Sequence, residues 1–307
     1  MENSKVAKRP RVLRLRSGRG GSVYGIYHWK MPEKVSLVLS EVEGRAMPMQ
    51  APNYVINWRA MSDTPATRLF VDADLGEGQA IELAQPQAHY LRNVMRFGAG
   101  DALALFNGRD GEYRARIARF DRRAATAIVE SRLREQPPEP DLWLVFAPIK
   151  RARIDFLVEK ATELGVGALL PVITRYTIVE RLNLDRLRAH AIEAAEQSER
   201  LTVPALHAPQ ALDALLASWD ASRRIMLCDE SGTAPPVATV LSGQSAASWA
   251  VLVGPEGGFA ETELDALRKL PFVSPVSLGP RILRADTAAL AGLAVLQALR
   301  GEAAQRR

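Results

Sequence analysis

Two glycine- and proline-containing stretches decide the fold: Trp249-Ala-Val-Leu-Val-Gly-Pro-Glu-Gly-Gly-Phe259 and Val276-Ser-Leu-Gly-Pro-Arg-Ile-Leu-Arg-Ala-Asp-Thr-Ala-Ala-Leu290. Residues 250–253 and 276–278 are short apolar runs that end in Gly-Pro, which is typical of buried strands in a parallel sheet. One such loop alone is an ordinary strand-to-helix turn. Two of them predict a ligand crevice, because the carboxyl ends of parallel strands open at one edge of the sheet.

The two loops match neither G-x-G-x-x-G nor G-x-x-x-x-G-K-[ST], the common nucleotide-binding patterns. They resemble the cofactor region of the SPOUT methyltransferases, and within that class the family that methylates N3 of a uridine in 16S ribosomal RNA. Residues 89–101, 158–165 and 191–204 resemble other motifs of this family, so the resemblance spans about residues 68–300. It implies an α/β fold in which a small PUA-like β-barrel precedes a C-terminal, trefoil-knotted parallel-sheet domain.

The same resemblance implies the reaction and its partners. The uridine is the one conventionally numbered 1498, the methyl donor is S-adenosylmethionine, and no metal or membrane is involved. The expected enzyme is a cytoplasmic homodimer that acts on 16S rRNA or the small ribosomal subunit. Two alternatives remain open: a SPOUT methyltransferase for another RNA, and a knotted RNA-binding protein without catalysis. The intact Gly-Pro loops favour an enzyme over the second alternative.

The resemblance places the cofactor against both loops and the start of the last helix. Backbone groups are expected to make most of the contacts, because glycine lets a ligand approach the chain closely. The cofactor-binding residues implied in this way are Val253, Gly254, Pro255, Glu256, Gly257, Gly258, Leu278, Gly279, Ile282, Leu283, Arg284, Thr287 and Ala288.

Catalysis at uridine N3 requires help from the protein, because this nitrogen carries a proton at neutral pH. A base must remove the proton, or a cation must stabilise the anion that forms. Arg284 is the candidate cation for that anion or an adjacent phosphate, and Asp286 and Glu256 are candidate bases. Asp286 could instead cap the last helix, and Glu256 could bond N–H groups of its own loop. The chain departs from the family pattern at Asp286, usually Glu, and at Tyr176, usually Arg.

A run of short strand-like segments precedes these motifs and predicts a small barrel. The segments are residues 68–71, 79–83, 101–106, 112–117 and 126–129. A helical segment over residues 87–96 interrupts them and places His89, Arg92 and Arg96 on one face, at i, i+3 and i+7. Composition alone favours a solvated charged face there. The family signature favours RNA contacts, to which we add Arg68 and Lys150.

The basic charge of the chain is confined to its first part. The net charge is +5 over 307 residues, yet residues 1–60 hold eleven Lys and Arg against four Asp and Glu, and the remainder holds 29 against 31. We predict a leader over residues 1–60, disordered or upstream of a natural start at Met61; an RNA-binding arm is the alternative. The proline-rich linker at residues 136–140 then separates a barrel domain, 61–136, from the methyltransferase domain, 137–307.

The single cysteine and the last helix allow two further predictions. Cys228 is the only cysteine, which rules out an intramolecular disulfide and predicts a cytosolic protein with a buried strand cysteine. The last helix, predicted over residues 286–300, carries a leucine stripe and many small residues and is apolar nearly all round. Such a helix is buried on more than one side, either within its own domain or, as the resemblance implies, in a homodimer.

Overall fold

The computed structural model describes residues 65–139, 141–179, 181–242 and 248–300. The predicted leader, Met61 and Pro140 of the linker lie outside these residues. Two sheets organise the described chain, the first between residues 68 and 134 and the second between residues 142 and 276. None of the helices in this part of the chain is long and apolar enough to cross a membrane.

The first sheet has five strands in the order β1-β3-β4-β5-β2, with β1 and β3 parallel and the other pairs antiparallel. These strands are β1 Arg68–Phe70, β2 Ala80–Leu83, β3 Ala102–Phe106, β4 Glu112–Phe120 and β5 Ala125–Arg134. Side chains from all five strands meet in one core, so the sheet curls around it, and register shifts between β4 and β5 mark bulges that bend the strands. The predicted strands are confirmed, with β4 and β5 longer than expected.

The helical segment differs from its prediction. It consists of a short helix, α1 Gln85–His89, and a π-helical turn, Tyr90–Val94. Arg96 lies beyond it with φ of 55°. The Phe97 N–H donates to the Leu91 carbonyl at 2.8 Å, the closing pattern of a helix that ends in a left-handed residue. Because the segment closes in this way, the side chains of Leu91 and Phe97 both lie in the barrel core.

The prediction that His89, Arg92 and Arg96 share one helical face is therefore wrong for Arg96. His89 and Arg92 lie within the helical segment and are exposed, whereas Arg96 is exposed but outside it. An i, i+7 relationship holds only along a continuous α-helix, and here the π turn and the left-handed residue interrupt it.

The second sheet is parallel throughout, in the order β12-β10-β11-β6-β7-β8, with β9 also pairing with β7. Its strands are β6 Leu142–Phe146, β7 Ala168–Ile173, β8 Ala205–Leu206, β9 Gln210–Ala211, β10 Arg224–Cys228, β11 Trp249–Val253 and β12 Val273–Val276. The strand predicted at residues 276–278 thus begins and ends earlier. Pro275 is tolerated inside β12 because β12 is an edge strand.

Helices cover both faces of this sheet, as predicted. One face packs against α2 Arg151–Glu163, α3 Leu184–Gln197, α5 Val237–Ser242 and α7 Ala285–Arg300. The other packs against α4 Leu212–Ala217 and α6 Glu261–Arg268. Each face has its own buried core, which is the expected arrangement for a doubly covered parallel sheet. The trefoil knot stays a prediction.

Arg68 joins the barrel to the parallel-sheet domain and does not face solvent. Its guanidinium pairs with Glu112 and donates to the carbonyl oxygens of Ala195, Glu196 and Arg200 at the end of α3, at 2.8–3.0 Å. The side chain is only 14% exposed. A cation at the C-terminal end of a helix is stabilised by the unpaired carbonyls there. The RNA contact predicted for Arg68 is corrected accordingly to an internal structural role.

Candidate active site

A cavity of about 860 Å³ lies at the carboxyl edge of the parallel sheet, where β10, β11 and β12 end. Both predicted Gly-Pro loops form its wall, so the prediction of a crevice there is confirmed. The cavity wall also includes the segment after β10 and the first residues of α2 and α7. This is the position at which open parallel sheets bind ligands.

The loop after β11 is built around two glycines that cannot be replaced without movement. A β-carbon on Gly254 would lie 2.9 Å from the Phe259 ring, and one on Gly258 would lie 2.4 Å from the Glu230 carboxylate. Gly258 also has φ of 74°, a conformation that other residues adopt at a cost. The Gly258 N–H donates to the Pro255 carbonyl at 2.9 Å. The loop therefore turns tightly and presents backbone to the cavity.

The loop after β12 is anchored at its start and open at its centre. The Ser277 N–H donates to the Pro235 carbonyl at 2.8 Å, which ties the loop to the segment preceding α5. Leu278 and Leu283 pack against the core of this face, whereas Ile282 is 88% exposed. Gly279 has φ of 118°, and no atom lies within 4 Å of the position of a β-carbon there. The loop combines a fixed base with an exposed tip at the cavity mouth.

Three residues at the end of β10 line the cavity, and sequence reasoning did not assign them to the site: Cys228, Asp229 and Glu230. Burial raises the pKa of the Cys228 thiol to about 12, with a smaller contribution from the Glu230 charge, so the thiol stays neutral. Burial also raises the pKa of Asp229, but hydrogen bonds from Ser231 and Arg268 outweigh burial and hold this pKa below its usual value. Glu230 is exposed and accepts the Phe259 N–H at 3.1 Å.

Most residues predicted to bind the cofactor do line the cavity. They are Val253, Gly254, Pro255, Glu256, Gly258, Leu278, Gly279, Ile282, Leu283, Arg284 and Ala288. Gly257, Asp286 and Thr287 do not belong to the lining. A β-carbon on Gly257 would lie 3.4 Å from the Tyr176 side chain, so that position faces the loop after β7 and not the cavity.

Asp286 is not the cap of the last helix. The helix α7 begins at Ala285, which places Asp286 within the first turn. Its carboxylate accepts the N–H of the adjacent Thr287 at 3.0 Å, and the residue is half-buried. A carboxylate in the first turn still interacts favourably with the positive end of the helix dipole. The predicted capping role is wrong, and a role in catalysis stays a prediction.

Four cations surround the cavity: Lys150, Arg153, Arg281 and Arg284. Lys150 and Arg153 lie at the start of α2, and Arg281 and Arg284 lie on the loop that enters α7. Three of the four are exposed and Arg153 is half-buried. Their positive charge favours a polyanion at the mouth, so Lys150 is well placed for its predicted RNA contact. In contrast, His89, Arg92 and Arg96 belong to the barrel and do not line the cavity.

Exposed apolar side chains also lie at this mouth. Ile178, which is 79% exposed, lines the cavity, and Tyr176, which is 48% exposed, lies 3.4 Å from the position that a β-carbon on Gly257 would take. No group of three or more His, Cys, Asp or Glu in the described ranges could hold a metal ion. The polar groups around the cavity are backbone amides, carboxylates and cationic side chains.

The residues that line the cavity lie within a domain that matches a known protein family. Residues 136–297 match the model of the RNA methyltransferase domain, and residues 83–130 match that of the RNA methyltransferase PUA domain. The ribosomal RNA small subunit methyltransferase E of Rickettsia conorii is 33% identical over 76% of this chain and 95% of its own length. The enzyme of the same name from Synechocystis is 32% identical over 76% of this chain and 78% of its own length.

A solved structure extends the likeness to three dimensions. The ribosomal RNA small subunit methyltransferase E of Neisseria gonorrhoeae, bound to S-adenosylmethionine, superposes with a TM-score of 0.69. It is 28% identical, and the match covers 76% of this chain and 97% of that one. From these matches and the two domains that they span, the chain belongs to the RNA methyltransferase family that includes the ribosomal RNA small subunit methyltransferases E.

Proposed function

We propose that this protein transfers a methyl group from S-adenosylmethionine to N3 of a uridine in 16S rRNA, within the small ribosomal subunit. The observation that carries the proposal is the cavity at the carboxyl edge of the parallel sheet, walled by two glycine loops and rimmed by cations. Relatives named as small-subunit rRNA methyltransferases support the substrate class. We expect the protein to work in the cytoplasm, where this subunit is found.

The residues of the cavity suit S-adenosylmethionine. A volume of about 860 Å³ lies within the range of small-molecule sites, and a side chain at position 258 would meet the Glu230 carboxylate. Leu278, Leu283 and Ala288 offer apolar surface, while the carboxylates of Glu230 and Glu256 suit a ligand with positive charge. The bound cofactor supplies an electrophilic methyl group, so the protein must align the attack and help to generate the nucleophile, which is N3 of the uridine after it has lost its proton.

The chain's own residues must produce that nucleophile. Arg284 lines the cavity at the entrance to α7 and is placed to stabilise the uracil anion or an adjacent phosphate. Glu256 lines the same cavity and is exposed, whereas Asp286 is outside the lining. We therefore assign the proton-accepting role to Glu256. We assign Asp286 a positioning role, in which it holds the first turn of α7 and hence the Arg284 backbone.

We also propose that the enzyme is a homodimer formed through α7. Leu293 and Leu296 are buried in the domain core, but Ala294 and Ala298 are exposed and Leu299 is 45% exposed. Among the described residues, nothing encloses the outer face of this helix, which the alternative prediction required to be covered. An apolar helix face that the described part of the chain leaves exposed fits a second copy, and small side chains let helices approach closely.

Primer extension on 16S rRNA tests the proposal, because methylation at N3 blocks Watson–Crick pairing and stops the polymerase. The purified protein and S-adenosylmethionine should produce one stop on small subunits from a strain that lacks the modification, and Arg284→Ala should reduce the rate at least tenfold. A stop on a different RNA would favour the alternative substrate. Cofactor binding without any transfer would favour a non-catalytic RNA-binding protein and contradict the proposal.

A further inference from the structure

Most arginines in the described part of the barrel pair with an acidic neighbour. Arg109 pairs with Asp74, and Arg132 with Glu135. The other pairs are Arg114 and Arg116 with Glu130, and Arg68 and Arg134 with Glu112. These six arginines share four carboxylates, so each of them has an acidic neighbour that competes with an outside ligand for its N–H donors.

One end of the barrel is different. The turn between β4 and β5 carries Arg122 and Arg123, both exposed and both without an acidic partner within 4.0 Å among the described residues. Arg119 precedes them and pairs with Asp121, but both members of this pair are largely exposed, at 70% and 52%. Solvent screens such a surface pair strongly. The turn thus holds three arginines against one aspartate.

The helical segment of the barrel joins the same end. The Arg92 guanidinium donates to the Asp121 carbonyl at 3.2 Å and stacks on the Phe120 ring at 4.7 Å from its centre. We call the surface formed by Arg92, Arg119, Arg122 and Arg123 the arginine end. It combines Arg92, which is held by stacking, and Arg119, which pairs with Asp121, with Arg122 and Arg123, which have no acidic partner among the described residues.

The arginine end lies far from the contact between barrel and parallel-sheet domain. Strand β4 starts at Glu112, whose arginine partners bind the end of α3, and finishes at Phe120 beside the arginine end. Eight residue steps at ~3.3 Å per residue place these points roughly 26 Å apart. A ligand on the arginine end would therefore contact the protein well away from that junction.

We infer that the arginine end binds phosphate groups of the rRNA that flank the target uridine, as a second contact separate from the cavity. Guanidinium groups suit this ligand, because they pair with phosphate through two parallel hydrogen bonds and stay charged at all physiological pH values. Contacts to phosphate position an RNA without reading its sequence. The surface would thus add affinity and orientation, while the cavity selects the base. This inference rests on the proposed rRNA substrate.

The test compares two double variants of the full-length protein. Arg122→Ala/Arg123→Ala removes the unpaired arginines, and Arg109→Ala/Arg132→Ala removes two arginines of the same barrel that have acidic partners and are about half exposed. The affinity for a 16S rRNA fragment containing the target is measured over a series of salt concentrations. For each phosphate that a variant no longer binds, the slope of log K against log salt should fall by roughly 0.7–0.9. The first variant should lose about 1.5 in slope and roughly tenfold in affinity near 0.1 M salt; the second should lose neither.

Two controls separate this inference from the proposed function. S-adenosylmethionine affinity should be equal in both variants and the parent, because neither pair of arginines lines the cavity. Arg122→Ala/Arg123→Ala should have the parent's kcat, which is reached with saturating rRNA, and a higher KM for rRNA. If the parent methylates the rRNA but the salt slope of this variant is unchanged, the arginine end is merely solvated and the inference is overturned. If the parent does not methylate 16S rRNA, the proposed function itself fails.

Discussion

The Glu230 carboxylate that accepts the Phe259 N–H at 3.1 Å also lies 2.4 Å from the position of a β-carbon on Gly258. The end of β10 and the loop after β11 are thereby locked together, although they are far apart in the sequence. A side chain at position 258 would force either the carboxylate or the loop to move. Because both line the cavity, its shape depends on this contact.

Gly258→Ala should weaken S-adenosylmethionine binding at least tenfold in isothermal titration calorimetry. The added carbon both strains a backbone at φ of 74° and meets the Glu230 carboxylate. Gly78→Ala is a matched control, since Gly78 has φ of 81° and no atom within 4 Å of the added carbon. It should cost stability of about 1 kcal/mol without changing cofactor affinity.

The steric cause can be isolated with a second substitution. Glu230→Ala removes the carboxylate that meets the added carbon, so Gly258→Ala should cost less cofactor affinity in the Glu230→Ala background than it does in the parent. Non-additivity of this kind measures the coupling between the two positions. Equal affinity of the parent and Gly258→Ala would remove this wall of the cavity from the cofactor site.

The sequence predicted the cavity but only part of its wall. The Gly-Pro loops could be recognised because each follows an apolar strand directly in the chain. Glu230 could not, because its proximity to Gly258 depends on the strand order, in which β10 lies between β11 and β12. The rule that ligands meet the carboxyl ends of parallel strands would have included Glu230 once that order was known. Local pattern likewise could not tell that Gly257 faces Tyr176 while Gly258 faces Glu230.

The barrel illustrates a different limit. Alternation and turn residues predict its strands, but the roles of its arginines depend on partners that are distant in sequence. Arg68 matches the start of the family resemblance, yet its donors are used by Glu112 and by carbonyls more than 120 positions away. Counting along an α-helix misplaces Arg96, because the segment before it closes through a π turn. Spacing alone cannot reveal either outcome.

Filling the cavity from α7 should block the cofactor without straining the backbone. Ala288 lines the cavity and lies in a regular helix, so Ala288→Leu would add three carbon atoms to the ligand space. We expect S-adenosylmethionine affinity to fall at least tenfold in calorimetry. Because Ala288 is also part of the buried core, the added carbons should lower the melting temperature as well, and a cooperative thermal transition shows that the variant is folded. Ala266→Leu, on an exposed position of α6, is the control for helix substitution and should bind normally. Normal binding by Ala288→Leu would place the cofactor elsewhere.

The buried Glu112 should make stability depend on pH. Burial by itself raises the pKa of Glu112, but hydrogen bonds from Arg134 and Arg68 outweigh burial and hold this pKa below the ordinary value of 4.5. Because the folded pKa is the lower one, the stabilisation is fully present above pH 4.5 and is lost as the pH falls through the folded pKa. Glu112→Gln should therefore reduce the free energy of unfolding by about 2 kcal/mol at pH 7. The reduction should become progressively smaller as the pH falls below 4.5.

Urea denaturation at a series of pH values measures this difference. Glu130→Gln provides the comparison, since Glu130 pairs with Arg114 and Arg116 on a more exposed part of the same sheet, with a side chain that is 33% exposed. A surface pair contributes at most about 1 kcal/mol. A penalty for Glu112→Gln that stayed constant into acid would mean that the effect comes from packing and not from its charge.

Assembly and chemistry should be linked through α7, since Arg284 leads into this helix and Ala298 is exposed near its other end. Ala298→Glu would place a charge on the face proposed to meet a second copy, and burying an unpaired charge is costly. We expect a monomer in analytical ultracentrifugation, with rRNA methylation at least tenfold slower even with saturating cofactor. Ala266→Glu, on exposed α6, should keep the parent's mass and rate. A monomeric Ala298→Glu with the full rate would show that each subunit carries a complete site, and the proposed link between dimer and catalysis would have to be abandoned.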